Sequence, residues 1–260
     1  MSFSRPIKLK GKSVGGGKEP LVCMPLVGCD EDAIFREMVL VTAKMPDLIE
    51  WRVDFFVGID DVERVVALGQ RIRALAVGIP VIFTCRSIRE GGTPIELDED
   101  QVFAVYAAVC HSGCVDLFDY ELSSEPRHFA QAVELAKETE VRLIASFHNF
   151  QGTPAARDIV AIFVAMEKAG ADIAKVAVMP QDMRDVLTLL EATLNGIEAI
   201  SLPIISMSMG GYGSLSRLFG WAFGSSVTFV VGEKSSAPGQ VPIEELNTVV
   251  DILHRTLSGE

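Results

Sequence analysis

Lys175 stands in the run Asp172-Ile173-Ala174-Lys175-Val176-Ala177-Val178-Met179, which is otherwise apolar and of strand length. A lysine buried in such a run loses hydration. That disfavours the ammonium and lowers its pKa, the condition under which an amine becomes a nucleophile near neutral pH. The alternatives on this run alone are a lysine snorkelling from a strand end or ion-paired inside a barrel. Other chemistry-bearing residues also collect at the ends of apolar runs. Glu50 and Arg52 lie two apart in Glu50-Trp51-Arg52-Val53-Asp54 and so point the same way. Thr84-Cys85-Arg86 leads into Glu90-Gly91-Gly92, Asp119 and Glu121 repeat the spacing of two, and Ser146-Phe147-His148 ends the next run. Ser206-Met207-Ser208-Met209 enters Gly210-Gly211-Tyr212-Gly213, and the last run leads into Glu233 through Gln240.

This set supports one kind of reaction. A neutral lysine attacks a ketone and forms an iminium, which serves as an electron sink. A histidine removes a proton from the adjacent carbon and later protonates a leaving hydroxyl. Glu90 orients the imidazole, and arginines hold a substrate carboxylate through paired hydrogen bonds. Each residue alone has a plainer explanation. Glu50–Arg52 reads as a structural ion pair filling a barrel, and Arg86 can pair with Asp119 or Glu121 for the same reason. Met207 and Met209 read as packing, the glycines after them as a weak phosphate cradle, and Cys85 as an inert strand residue facing away from the interior. Cys110-His111-Ser112-Gly113-Cys114 lacks a second cluster at zinc spacing, so no metal is expected.

Elements with a regular rhythm must position these groups. Apolar runs begin near Leu21, Leu48, Val81, Val115, Val141, Asp172, Pro203 and Val227, at spacings near thirty residues. Amphipathic stretches lie between most of them. Asp30 caps one that ends near Lys44. Thr153-Pro154 reads as a cap and first helical residue for another, which Gly170 ends. The seventh connection has only Leu215 to Phe223 as a helical candidate. Strand–helix alternation over about 240 residues predicts a parallel (β/α)8 TIM barrel at residues 20–260. Residues 1–19 form an N-terminal extension with a possible short hairpin, Ile7 to Lys10 as a strand and Gly15-Gly16-Gly17 as a turn.

Composition narrows the partners. A net charge of −12 argues against nucleic acid and anionic membrane surfaces. The longest apolar stretch, Ala74 to Cys85, contains Gly78 and Pro80 and is shorter than the roughly 20 residues of a membrane span. The basic residues Arg5, Lys8, Lys10 and Lys12 have no apolar core after them, unlike a signal peptide. Five cysteines in a chain of 260 residues fit a reducing cytoplasm better than a disulfide framework.

From about residue 7 to 255 the ordered motifs resemble the type I 3-dehydroquinate dehydratase family of the shikimate pathway. They are Glu50-Trp51-Arg52-Val53-Asp54, Phe83-Thr84-Cys85-Arg86 with Glu90-Gly91-Gly92, Asp119-Tyr120-Glu121-Leu122, Ser146-Phe147-His148, and Lys175 through Pro180. Met207-Ser208-Met209-Gly210, Ser216-Arg217 and Ser236-Ala237-Pro238-Gly239-Gln240 complete the series. The resemblance implies a barrel, usually a homodimer, with no metal or organic cofactor and with 3-dehydroquinate as substrate. It implies Lys175 as the Schiff-base lysine, His148 as general acid/base and Glu90 as its orienting carboxylate. Arg217 is implied as the clamp on the substrate carboxylate. Glu50, Arg52, Arg86, Ser236 and Gln240 match substrate contacts, and Met207 and Met209 match apolar walls. The segment 232–240 resembles a lid. Asn149 stands where the family commonly has aspartate. A class I aldolase acting on a sugar phosphate, and a barrel that only binds an anionic metabolite, are the competing readings.

Overall fold

The structure, a computed structural model, describes residues 5–16, 19–232 and 236–258. Its centre is an eight-stranded parallel sheet. The strands are β3 (Leu21–Leu26), β4 (Leu48–Arg52), β5 (Val81–Thr84), β6 (Leu117–Glu121), β7 (Arg142–Asn149), β8 (Ile173–Val178), β9 (Ile204–Ser208) and β10 (Val227–Phe229). They pair in the order β10-β3-β4-β5-β6-β7-β8-β9. The ring closes between β9 and β10, where Ser226 N–H donates to Ile204 C=O at 2.7 Å beside a parallel bridge between Ile204 and Ser225. Helices α1 (Glu31–Ala43), α2 (Val62–Leu75), α3 (Glu99–His111), α4 (Pro126–Thr139), α5 (Ala156–Lys168), α6 (Met183–Ala199), α7 (Gly210–Phe219) and α8 (Ile243–Ser258) follow the strands in turn. The (β/α)8 expectation is borne out.

The two-residue period of a strand sorts side chains into two cores. Trp51, Phe83, Phe118 and Val176 face outward into the layer beneath the helices. Leu48, Ile82, Leu117, Ile144, Ile173, Ile205 and Val227 face inward and form an apolar floor. Two residues further along each strand, the same inward face carries Glu50, Thr84, Asp119, Ser146, Lys175, Met207 and Phe229. Two further still come Arg52, Arg86, Glu121, His148, Ala177 and Met209. An apolar floor and a mainly polar middle are therefore written into alternate residues of seven of the eight strands, and six of these continue into the mouth.

An antiparallel hairpin, β1 (Ile7–Leu9) and β2 (Lys12–Val14), closes the bottom of the barrel. Its turn is Lys10-Gly11, both with positive φ (46° and 84°), the conformation of a tight two-residue hairpin. The sequence suggests the glycines at 15–17 as the turn. In the structure Gly15 and Gly16 lie beyond β2, and Gly17 lies outside the described residues. Leu9 and Val14 pack on the apolar floor. Val14→Asp buries an unpaired carboxylate there. It is expected to destabilise the protein by about 3 kcal/mol and to lower the calorimetric Tm by roughly 6–10 °C, with turnover at 25 °C retained.

Local signals explain most helix ends. Asp30 accepts from Ala33 N–H at 2.8 Å, and Asp98 forms a capping box with Gln101. Gly170 follows α5 with φ 96°, as expected of a helix stop. Two starts differ from expectation. Helix α5 begins at Ala156 rather than Pro154, because Ala155 holds an extended backbone (ψ 148°) and no side chain caps the helix. Helix α7 begins at Gly210, well before Leu215, so the glycine cluster is its first turn. A Cβ on Gly213 would sit 2.2 Å from Ser208 O, which is why only glycine lets this helix fold back so tightly onto β9.

Candidate active site

The C-terminal ends of the barrel strands enclose a cavity of about 90 Å³. Glu50, Arg52, Arg86, Glu90, His148, Lys175, Met207, Met209, Arg217, Ser236 and Gln240 all line it, together with Gly91, Phe150, Ala177, Phe229, Ala237 and Pro238. A larger cavity of about 280 Å³ lies outside the barrel wall between the β5 loop and α3. It contains neither the lysine nor the histidine. The reactive groups therefore converge on the smaller space.

Lys175 is 4 % exposed and is not alone. Its Nζ donates to Asp119 Oδ2 at 2.7 Å, lies 3.6 Å from Glu50 Oε1, and sits 4.6 Å from the centre of the Phe229 ring. Of the two structural alternatives, the geometry contains ion pairing inside the barrel. The nearest carboxylate, on Asp119, also accepts from Arg86 Nη2 at 2.8 Å and Ser146 Oγ at 2.6 Å. Arg86 and Lys175 hold the Asp119 carboxyl far below the usual carboxylate range despite complete burial.

Arg86 pairs with both candidates suggested by sequence, since its Nη1 also lies 3.2 Å from Glu121 Oε1. The Glu50–Arg52 pair does not form. Arg52 instead grips Asp54 with two bonds of 2.8 Å, and Glu50 accepts from Thr84 Oγ1 at 3.1 Å and faces the lysine. Asp54 competes better because the tight turn Val53–Phe55 brings its carboxylate alongside the guanidinium fork.

His148 and Glu90 form a second unit. Glu90 Oε2 accepts from the backbone N–H of His148 at 3.0 Å and from its Nδ1 at 2.8 Å, while Ser123 Oγ donates to Oε1 at 2.6 Å. With Nδ1–H donating, Nε2 keeps its lone pair. Burial, with Arg86 and Lys175 nearby, drives the His148 pKa well below its ordinary value. Burial and the neighbouring Glu121 push Glu90 up to about 7. The Asn149 side chain bonds elsewhere. Its Oδ1 accepts from Gln151 N–H at 2.8 Å, shaping the turn after β7.

Arg217 differs from the other cations of the mouth. It is 2 % exposed and has no carboxylate partner among the described residues. Nη2 donates to Pro238 C=O at 3.1 Å, Nη1 meets Met207 Sδ at 3.5 Å, and Nε has no hydrogen-bond partner. Burial lowers its pKa to about 10. A buried guanidinium with no carboxylate partner among the described residues favours an anion beside it.

Of the segment 232–240, which the resemblance likens to a lid, residues 232 and 236–240 are described. Residues 233–235 lie outside the described residues; Ser236 to Gln240 cross the mouth. Ser236 N–H donates to Gln240 Oε1 at 2.9 Å, and Arg52 Nη1 donates to Ser236 C=O at 3.4 Å. Gly239 packs so closely on Gly210 that a Cβ would lie 2.2 Å from its oxygen, so the glycines at the start of α7 support this segment. Cys85 lies outside the mouth, and burial raises its pKa far above the ordinary thiol range, as an inert residue requires.

Sequence reasoning named Asp119 only as an ion-pair candidate for Arg86 and gave no role to Asp54, Phe150 or Phe229. The period-two rule that aligns Asp119 with Glu121 could also have placed Phe229 inside, two residues beyond Val227. Asp54 and Phe150 lie in turns, where no periodicity applies.

Fold and site together define a (β/α)8 barrel enzyme with a lysine at the heart of its mouth. Residues 22–256 match the family model described as Type I 3-dehydroquinase, and the chain belongs to that family. It is 64 % identical over 260 residues, all of both chains, to a 3-dehydroquinate dehydratase of Aromatoleum aromaticum. A crystal structure of 3-dehydroquinate dehydratase from Geobacillus kaustophilus superposes with a TM-score of 0.94 at 48 % identity, covering 96 % of each chain. A type I 3-dehydroquinate dehydratase from Clostridium difficile, solved with covalently modified comenic acid, gives 0.92 at 37 % identity over 97 % of this chain and 99 % of the other.

Proposed function

We propose that this chain dehydrates 3-dehydroquinate to 3-dehydroshikimate through a Schiff base on Lys175. The observation that carries the proposal is the convergence of Lys175, the His148–Glu90 pair and the unbalanced Arg217 on one cavity of about 90 Å³. The substrate carboxylate pairs with Arg217 in place of the lid carbonyl that now occupies it. The hydroxyl-bearing ring lies among Glu50, Arg52, Arg86, Ser236 and Gln240, against Met207 and Met209. The lysine must shed a proton before it attacks, and Asp119 Oδ2 at 2.7 Å is the nearest acceptor.

Attack on the ketone gives a carbinolamine, whose oxygen takes up the proton that the ammonium shed and leaves as water, giving the iminium. His148 Nε2 then takes a proton from the adjacent carbon, and the electron pair moves into the C–N system. The imidazolium returns that proton to the departing hydroxyl, which leaves as the second water. Hydrolysis of the remaining imine restores the amine and releases the enone. Every proton and electron pair is accounted for by the lysine, Asp119, the histidine and water. The covalent ligand in the similar Clostridium difficile enzyme supports a covalent step.

Borohydride reduction during turnover of 3-dehydroquinate tests the proposal. A stable adduct mapped to Lys175 is expected; turnover with no adduct would overturn the Schiff-base route. We place the enzyme in the cytoplasm as a homodimer. All five cysteines are free thiols, as a reducing compartment requires, and no helix among the described residues is long and apolar enough to cross a membrane. Sedimentation at micromolar concentration tests the dimer.

A further inference from the structure

We infer that Asp54 is a positioning residue for the reaction. Its one buried carboxylate fixes Arg52 on one side and both ends of the loop carrying Glu90 on the other. The inference rests on reading Arg52 as a substrate contact and Glu90–His148 as the acid–base pair.

The Asp54 side chain is fully buried. Oδ1 accepts from Arg52 Nε–H at 2.8 Å and from the backbone N–H of Arg86 at 3.3 Å. Oδ2 accepts from Arg52 Nη2–H at 2.8 Å and from the backbone N–H of Thr93 at 3.1 Å. Both lone pairs of each oxygen are thereby engaged. The fork-on-fork pairing leaves Nη1 as the edge of Arg52 that reaches the cavity, where it meets Ser236 C=O. The Phe55 ring, 4.9 Å from the guanidinium carbon, covers a face of the group.

Arg86 and Thr93 are the two ends of a closed loop with Glu90 near its crown. Gly92 N–H donates to Ser87 C=O at 2.8 Å, and a Cβ on Gly92 would sit 1.8 Å from Arg86 O. The loop is thus narrow at its base, and that base rests on Asp54. Glu90 must meet His148 at 2.8 Å for the imidazole to present Nε2. Displacing a catalytic group by about 1 Å can cost a hundredfold in rate. The same carboxylate therefore sets substrate binding through Arg52 and proton transfer through Glu90.

Asp54→Asn keeps the volume but replaces one oxygen with a donor, which must face either the guanidinium or a backbone N–H. The expected result is a KM raised about tenfold through Arg52, together with a kcat lowered about 10- to 100-fold through Glu90. Borohydride trapping on Lys175 persists, because the lysine lies on β8 and does not touch Asp54. The decisive comparison is Arg52→Met against Arg52→Met/Asp54→Asn. The double variant buries no unpaired charge, which favours folding, and it is expected to lose at least a further tenfold in kcat. No further loss would mean that Asp54 only anchors the arginine and would overturn the inference. Wild-type kcat in Asp54→Asn would do the same. If the acid–base reading itself were wrong, His148→Ala would stay active, an outcome separate from either of these.

Discussion

Replacing Lys175 by alanine is expected to lower kcat by at least 10⁴-fold and to leave substrate binding measurable by titration calorimetry. The two effects separate because the lysine supplies chemistry while Arg217 supplies charge for the ligand. Arg217 is buried without a carboxylate partner among the described residues, so an anion entering the cavity is expected to balance its charge. Some affinity is lost as well. Without the ammonium, Glu50 and Asp119 face the ligand less compensated, for an expected cost of about 1–3 kcal/mol. Lys175→Met fills the volume and should bind slightly better than Lys175→Ala while remaining as inactive. Complete loss of binding in both variants would contradict this division of labour.

The His148→Ala variant tests the next step. The amine still has its neighbours Asp119 and Glu50, so borohydride still traps an adduct, formed more slowly. Proton removal from the adjacent carbon fails, and turnover falls by about 10²–10⁴-fold. Full activity would exclude His148 as the base. The same pair sets a pH dependence. Glu90 is pushed up to about 7 while burial and two cations drive His148 down. As pH falls through about 7 the pair gains a proton, and Glu90 ceases to be the carboxylate that holds Nδ1–H. Below that point kcat/KM is expected to fall about tenfold per pH unit. In Glu90→Gln this limb should vanish, leaving a low rate with little pH dependence.

Much of the site was legible because strands alternate. Glu50 and Arg52, Asp119 and Glu121, and Met207 and Met209 each share a face by spacing alone, and the barrel rule places that face at a common mouth. Arg217 and Ser236 were not accessible that way. One is on a helix and the other in a loop, and their assignment came from the motifs around them. Pairing was the least legible property. Arg52 chose Asp54 over Glu50, and Lys175 acquired Asp119 from a strand two places away in the ring, because guanidinium and ammonium groups follow angle and distance, which sequence spacing does not specify.

The sequence by itself determined the barrel, its polar mouth and the chemical identity of the groups there. Periodicity and residue type are local properties, and eight repeats of them leave few ways to close a sheet. Only the tertiary structure decided which charges are balanced. Among the described residues Arg52, Arg86 and Lys175 each found a carboxylate, and Arg217 did not. For Arg86 and Lys175 that pairing depends on contacts between residues tens of positions apart, and for Arg52 on the angle of the turn after β4; on the proposed reading, this uneven balance is what suits the mouth to an anionic ketone.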